Sequence, residues 1–386
     1  MAPGTLDAAA ILENARALGA DIEAAADAIA EHRRLPDALV EKMRTAGVFR
    51  VAFPKAWGGP EMDMVAQCEL MEILAYHDAS AAWVAMICSD SGHYIARIDE
   101  AVARDLYPHM DMLTSGALAP GGQAHRTAQG FRVSGRWQFG SGCLHADHII
   151  AGCLVFENGA PVMAANKLPQ YRAVWLPRAE VQIHDTWRTT GLAGTGSNDY
   201  AVKDVLVPEA QSFDPFVVGD RPEPLYRYHG FFFANLSGVA LGCARRMIDD
   251  FRTYVSNKIV MPGNQPLKNE YRAQLALAEA TGKLDAAKAY QDAALGAVWR
   301  ALLRGDTPTP PQRAGIGLMT VHAVQTAAEV SELVCETAGT VSLFVGSPFE
   351  RRRRDILTMK GHIVAQKRTQ QMMGQLLLGL DARSYF

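Results

Sequence analysis

Apolar positions recur at helical spacing through residues 5–110. They change to alternation and β-branched runs over about 113–208, and return to helical spacing from Phe231 onward. In the first stretch Leu6–His32 is alanine-rich with repeated acids. Leu35-Pro36-Asp37 then opens a new helix, because proline is tolerated in a first turn, and Gly47 is expected to end it. Arg50–Gly59 is turn-rich. Val65–His77 and Ser80–Ile98 resume helical spacing, with Ser80 as candidate N-cap and Glu69, Glu72 and His77 as solvated positions. In the last stretch Leu236–Tyr254, Gln265–Arg304, Pro311–Ala338 and Asp355–Leu380 are each long enough for a bundle helix. Residues 209–229, rich in proline and aromatics, read as a linker. Helix, then strand, then helix predicts an α+β multidomain chain, an all-α framework with an inserted β domain.

The centre of the chain carries the sharpest pattern. From Gly130 onward, Phe131, Val133, Trp137 and Phe139 share one parity and Arg132, Ser134, Arg136 and Gln138 the other, which marks a half-buried strand. Gly140-Ser141-Gly142 breaks it, and His148–Phe156 follows as a more apolar, more deeply buried strand. Tyr171–Ile183 and Tyr200–Val207 add strands at the spacing of an antiparallel barrel or sandwich. Trp137 and Phe139 before the glycine corner could wall a pocket with the Ser141 hydroxyl at its lip. The plainer expectation is an ordinary sheet bend with a surface serine.

Composition narrows the function. The chain has 386 residues, enough for two or three domains, with 49% apolar and 20% charged residues, as in soluble globular proteins. A net charge of -3 argues against nucleic acid as partner. The 6 cysteines, with no CxxC pair, suit a reducing cytoplasm, and no signal peptide or membrane-spanning apolar run is read. No G-x-G-x-x-G follows a strand, so no built-in nicotinamide site is expected.

Several side chains are candidates for chemistry. His93 lies in the polar patch Ser89-Asp90-Ser91-Gly92-His93 of an otherwise apolar helical region; a lone histidine there is more often a satisfied core residue. His145 and His148 flank Asp147, but they point to different faces of a strand and lack a third ligand, so no metal site is expected. Thr186–Asn198 is a loop of hydroxyls and glycines that reads equally as a phosphate or cofactor cradle and as a turn-rich connection. Arg351–Arg354 is a charge run, ordinarily a solvated face. His362, beside Gly361 in a helical run, is a reasonable general base once something places it in a pocket.

Together these segments resemble the acyl-CoA dehydrogenase superfamily across nearly the whole chain. Leu118–Gly152 is similar to its flavin-side strand pair, Thr189–Val207 to its Gly-Thr-Gly-Ser-type loop and following strand, and Phe349–His362 to the approach to its catalytic glutamate. The resemblance implies an N-terminal helical domain (1–112), a central β-barrel (113–215) and a C-terminal four-helix bundle (216–386), assembled as a homotetramer. The dehydrogenases' glutamate is absent: Arg354-Asp355 is present, but no glutamate follows as far as Phe386. The pattern instead resembles the two-component flavin-dependent monooxygenases on this fold, which carry a late histidine, an early histidine and a Trp-x-Phe-x-Ser-Gly turn. Here these are His362, His93, and Trp137, Phe139 and Ser141.

That branch implies reduced flavin, FMNH2 or FADH2, delivered by a separate NAD(P)H-flavin reductase. With O2 as cosubstrate it forms a C(4a)-hydroperoxide that oxygenates a small, preferably aromatic, substrate. By the same resemblance His362 would deprotonate the substrate, His93 would orient it, and Ser141 would hydrogen-bond the flavin near N(5). Trp137 and Phe139 would keep the pocket dry, Thr195, Gly196 and Ser197 would border the flavin, and Arg252 and Lys258 would contact phosphate. The alternatives are an FAD-dependent acyl-CoA dehydrogenase with a relocated base, an N- or S-oxygenase on the same scaffold, and a flavin-free binding protein.

Overall fold

The computed structural model describes residues 6–164, 167–380 and 382; residues 1–5, 381 and 383–386, at the outer edges of the expected helical domains, lie outside the described residues. Helices α1 (Ala8–Ala17), α2 (Gly19–His32), α3 (Asp37–Thr45), α4 (Met64–His77), α5 (Ala79–Cys88), α6 (Ser91–Ile95) and α7 (Glu100–Leu106) precede the strands. The strands are β1 (Thr114–Thr127), β2 (Gly130–Gly140), β3 (His148–Glu157), β4 (Ala160–Pro161), β5 (Tyr171–Leu176), β6 (Gln182–His184), β7 (Asn198–Val207) and β8 (Ser212–Phe213). After them come α8 (Leu236–Asn257), the small hairpin β9 (Ile259–Val260) and β10 (Gln265–Pro266), α9 (Tyr271–Leu303), α10 (Pro310–Ala338), α11 (Pro348–Met359) and α12 (Lys367–Leu377). Among the described residues no helix is long and apolar enough to cross a membrane.

The leading and trailing helices share one core. Ile22, Leu70, Leu74 and Val84 pack in the same buried cluster as Val239, Ala244 and Val324. The contact between α4 and α8 is a backbone approach: a Cβ at Gly238 would run into the Cys68 carbonyl, and one at Gly242 into the Glu72 carbonyl. Glu72, read as solvated, is instead half-buried here, paired with Lys288 at 2.9 Å and accepting from Gln291 Nε2 at 2.8 Å. His77 is likewise half-buried, on Glu23. The cap of α5 is Asp78, one residue before the helix, whose Oδ1 accepts from the Ala81 N–H at 2.9 Å; Ser80 lies inside the first turn.

The strands form one sheet in the order β6-β7-β2-β1-β3-β5-β8. It is not the closed antiparallel barrel expected: β6 and β8 end the sheet without pairing to each other, and β1 runs parallel to β3. The expected strand Tyr171–Ile183 is interrupted at Pro177 and by the 3-10 turn Arg178–Glu180, so β5 and β6 join opposite parts of the sheet. Phe131, Val133, Trp137, Val174 and Tyr200 fill the sheet's own core. A third cluster ties Ile150, Trp175 and Phe213 of the sheet to Tyr94 and Ile95 of α6 and to Phe232.

The last expected helix is two. Between α11 and α12, Gly361 and His362 lead into a 3-10 turn at Ile363–Ala365, with His362 in extended conformation at its head (φ -64, ψ 139).

Gly242→Ala tests the α4–α8 contact. Alanine gains about 1 kcal/mol of helix propensity over glycine, whereas overpacking against a fixed carbonyl costs about 1–3 kcal/mol. A thermal melt should therefore fall by a few degrees; a variant more stable than wild type would mean that the two backbones are free to separate.

Candidate active site

The corner after β2 is shaped by backbone. Its ladder to β7 slips between Trp137 and Gly140, and Phe139 sits in that slip with φ +65. A bulge reverses side-chain parity, so Phe139 turns outward, 64% exposed, with its ring edge-on to Trp187 at 6.2 Å. Trp137 turns into the sheet core, stacks on Tyr200 at 5.3 Å and donates from Nε1 to the Gly152 carbonyl at 2.7 Å. The two aromatics therefore do not form one wall, as parity alone had implied.

Ser141 is no surface serine but is buried. Its carbonyl accepts from the Ser115 hydroxyl (2.7 Å), and the next N–H, of Gly142, donates to the Thr195 carbonyl (2.8 Å). Gly142 has φ +75, and a Cβ there would press on Cys88 Sγ. The Ser141 hydroxyl accepts from Trp83 Nε1 at 3.1 Å and lies 2.7 Å from the Ser197 hydroxyl, which lies 2.6 Å from Thr195 Oγ1. Thr195 Oγ1 in turn donates to the Leu192 carbonyl at 2.8 Å.

A hydroxyl donates one proton and accepts at two lone pairs, so the order of protons follows from that carbonyl. Thr195 donates to Leu192, Ser197 must donate to Thr195, and Ser141 must donate to Ser197. Trp83, a donor only, fills one lone pair of Ser141 Oγ. The other remains as an acceptor.

The loop bearing Thr195 and Ser197 is bolted at both ends. Asn198 Oδ1 accepts from the N–H groups of Thr186 and Trp187, both at 3.0 Å, and Leu192 and Gly196 take left-handed backbone (φ +51 and +53). The Leu192 N–H donates to Asp355 Oδ1 at 2.6 Å. Asp355 is buried, and burial together with the nearby Asp78 pushes its carboxyl up to about 7. Gly191 abuts the Arg354 carbonyl, leaving no room for a side chain. The arginine run is paired: Arg351 on Asp27, Arg352 on Asp250, Arg353 on Glu332 and Arg354 on Glu350.

His362 meets this network through Trp83, ring edge to ring face at 5.5 Å and 76°. Its side chain is only half-buried, but Nδ1 is enclosed without a partner. Burial holds its pKa down at about 4, so it is neutral at pH 7 and able to accept a proton. His93 lies apart from these contacts. It is 2% exposed, its ring faces Phe232 at 5.5 Å and Tyr226 at 6.3 Å, and its pKa is pushed down to about 3 by burial and then by Arg97.

Arg252 is exposed and paired with Asp249 at 2.8 Å, and Lys258, also exposed, closes α8; neither contacts the Ser141 network within this chain. His148 Nε2 donates to the Leu106 carbonyl (2.6 Å), and His145 packs on Arg34 and Asp37. A cleft of roughly 300 Å³ between α4, α8 and α9, lined by Glu72, Tyr76, Arg245 and Lys288, takes in none of the candidate residues. Trp83, Ser115 and the loop-holding role of Asp355 were not read from the sequence. The apolar run around Trp83 looked only like core, and a hydrogen bond between residues 163 positions apart leaves no local signal.

The hydroxyls of Ser141, Thr195 and Ser197, the open acceptor on Ser141 and the enclosed imidazole of His362 form a polar set that fits the edge of a flavin. Comparison with known proteins gives the family. Residues 5–103 match the family model for the acyl-CoA dehydrogenase N-terminal domain, and residues 234–367 that for its C-terminal domain. The chain is 31% identical to indole-3-acetate monooxygenase of Pseudomonas putida over 382 residues, 95% of each chain. It is 27% identical to the FADH(2)-dependent resorcinol hydroxylase, oxygenase component, of Rhizobium sp. (strain MTP-10005), covering 92% of this chain and 91% of the relative. It superposes on the crystal structure of the HsaA monooxygenase from M.tuberculosis with a TM-score of 0.88 at 26% identity, covering 97% of this chain and 98% of that one.

The enclosure of His362 has a thermodynamic consequence. Its folded pKa, about 4, lies below the usual 6.5, so the unfolded chain binds the proton first and stability falls as pH drops from about 6.5 toward 4. For this group alone the loss is at most about 3 kcal/mol. Urea unfolding at pH 7 and pH 4.5 should show a smaller acid loss in His362→Gln than in wild type; equal losses would mean that the ring is solvated.

Proposed function

Since the chain belongs to the acyl-CoA dehydrogenase superfamily, in its branch of flavin-dependent monooxygenases, we propose that it is the oxygenase component of a two-component system acting on a small aromatic molecule. A separate NAD(P)H-flavin reductase supplies FMNH2 or FADH2. Bound reduced flavin provides the electrons that activate O2, one oxygen atom going to the substrate and the other to water. The residues of this chain bind, orient and exclude water around that chemistry.

The observation that carries this reading is the convergence of Ser141 and His362 on Trp83. The open lone pair of Ser141 matches the N(5)–H that reduced flavin carries and oxidised flavin lacks. Thr195, Gly196 and Ser197 border the same edge. His362, neutral at pH 7, accepts the proton of a phenol or similarly acidic ring substituent as the ring becomes electron-rich. His93 orients the substrate from the aromatic cluster it forms with Tyr226 and Phe232. Trp137 supports the corner through the sheet core, and the outward Phe139 stands at its rim.

The dehydrogenase alternative lacks a base. No glutamate follows Asp355, and none occurs between Leu236 and Asp250 on α8. Relatives named for indole-3-acetate and resorcinol favour ring substrates over N- or S-oxygenation.

We further assign the three domains to 1–112, 113–215 and 216–386, and the assembly to a homotetramer in the cytoplasm. The exposed apolar strap Leu343-Phe344-Val345 suits contact between copies, and the six free cysteines suit a reducing compartment. Arg252 and Lys258 would reach flavin phosphate from a neighbouring copy.

Mixing the protein anaerobically with FMNH2 or FADH2 and then with O2 tests the assignment. Flavin reoxidation should be delayed relative to free flavin, and an aromatic substrate should be hydroxylated. Ser141→Ala should shorten the delay about tenfold or more, equivalent to about 1.4 kcal/mol. His362→Ala should keep the delay and lower the product yield. Reoxidation at the rate of free flavin, with bleaching of bound FAD by acyl-CoAs, would establish the dehydrogenase instead.

A further inference from the structure

The polar groups beside His93 are short of partners. Arg97 follows α6 one turn after His93, and its Nη1 donates to the His93 carbonyl at 2.6 Å. The Phe232 ring covers its guanidinium, with Cζ 4.5 Å from the ring centroid, and faces the His93 imidazole as well. Two nitrogens in this aromatic surround, Arg97 Nε and His93 Nε2, are enclosed and have no hydrogen-bond partner among the described residues. A buried polar group left unpaired costs about 1–3 kcal/mol, more when charged. Two such groups against the one Phe232 ring mark a place that a ligand would complete.

The missing partner is an anion of a particular shape. Among the described residues the guanidinium forms no ion pair; Asp90 and Asp214 act on it only at longer range. Asp90 is itself buried, receives the Tyr94 hydroxyl at 3.5 Å and has its carboxyl pushed well up by burial, so it makes no ion pair with the guanidinium. With Nη1 occupied by the His93 carbonyl, the free edge of Arg97 is Nε with Nη2. That edge presents two parallel donors, the geometry that takes a planar carboxylate in a bidentate fork. The walls of the site, Tyr226 and Phe232, are aromatic. Phe232 belongs to the 3-10 turn His229–Phe233 outside the bundle helices, so making room is a change of loop, not of core helices.

We propose that Arg97 binds the carboxylate of an aromatic acid whose ring lies among His93, Tyr226 and Phe232, which makes arylcarboxylates the substrate class of this chain. The assignment rests on the monooxygenase reading and adds the acidic group to it. Arg97 then sets specificity and leaves the oxygen chemistry to Ser141 and His362.

Titration calorimetry of the full-length protein with indole-3-acetate and with indole-3-acetamide, equal in ring and reach and different in charge, tests it. Wild type should bind the acid at least tenfold more tightly than the amide. Arg97→Met, checked for folding by its thermal melt, should lose that ratio, and Arg97→Lys, which keeps the charge without the fork, should retain only part of it. An amide bound as tightly as the acid by wild type overturns the proposal without needing any variant, as does an unchanged ratio in Arg97→Met. If neither probe binds but reduced flavin is still protected from O2 and a neutral phenol is hydroxylated, the arylcarboxylate assignment falls and the monooxygenase stands. If reduced flavin is not protected either, both fall.

Discussion

A buried hydroxyl has one proton to give, and at the corner after β2 that limit orders the whole candidate site. The Leu192 carbonyl takes the Thr195 proton, which forces the protons of Ser197 and Ser141 to point the same way and leaves one acceptor on Ser141. Fully satisfied polar chains in a low-dielectric interior hold one arrangement because every alternative strands a donor. The site therefore has a direction before any ligand arrives. It offers an acceptor at Ser141, and under the proposed function a reduced flavin would offer the donor.

That direction depends on parts of the chain far apart in sequence. Asp355 on α11 fixes the Leu192 N–H, and through it the carbonyl that starts the chain. Asp78 caps the helix that carries Trp83, and Trp83 joins the serine corner to His362 at the break between α11 and α12. The helical frame thus carries the imidazole and the indole, the sheet carries the hydroxyls, and one carboxylate holds the loop between them. Oxygen chemistry on a reduced cofactor needs water kept out, and each link in this set is buried or half-buried.

Much of this was legible in the sequence. Helical periodicity located α4, α8 and α10 closely and α9 apart from its start, where residues 265–269 form β10 and a 3-10 turn instead, and alternation located β2 with the glycine corner beside Ser141. Failures came where a tertiary contact overrode a local rule. Parity placed Phe139 with Trp137, but the slip against β7 gives Phe139 a positive φ and turns it out. Ser80 has the chemistry of a cap, yet Asp78 is nearer the first free N–H groups. Apolar spacing ran unbroken through Asp355–Leu380, whereas Gly361 and His362 interrupt the helix at the point where the imidazole reaches Trp83. Glu72 looked solvated because Lys288, its partner, is more than 200 residues away in the chain. Chemistry-bearing residue types could be found by pattern; the indole and the carboxylate that bring them together could not, because their partners are set only by folding.

The most direct measurement of the central claim is the affinity of the protein for the same flavin in its two redox states, by anaerobic titration with FADH2 and FMNH2 and aerobic titration with FAD and FMN. An acceptor at Ser141 should favour the reduced form, and replacing Ser141 by alanine should narrow the difference. Oxidised flavin bound as tightly as reduced flavin, with no change in Ser141→Ala, would contradict the proton order on which the account rests.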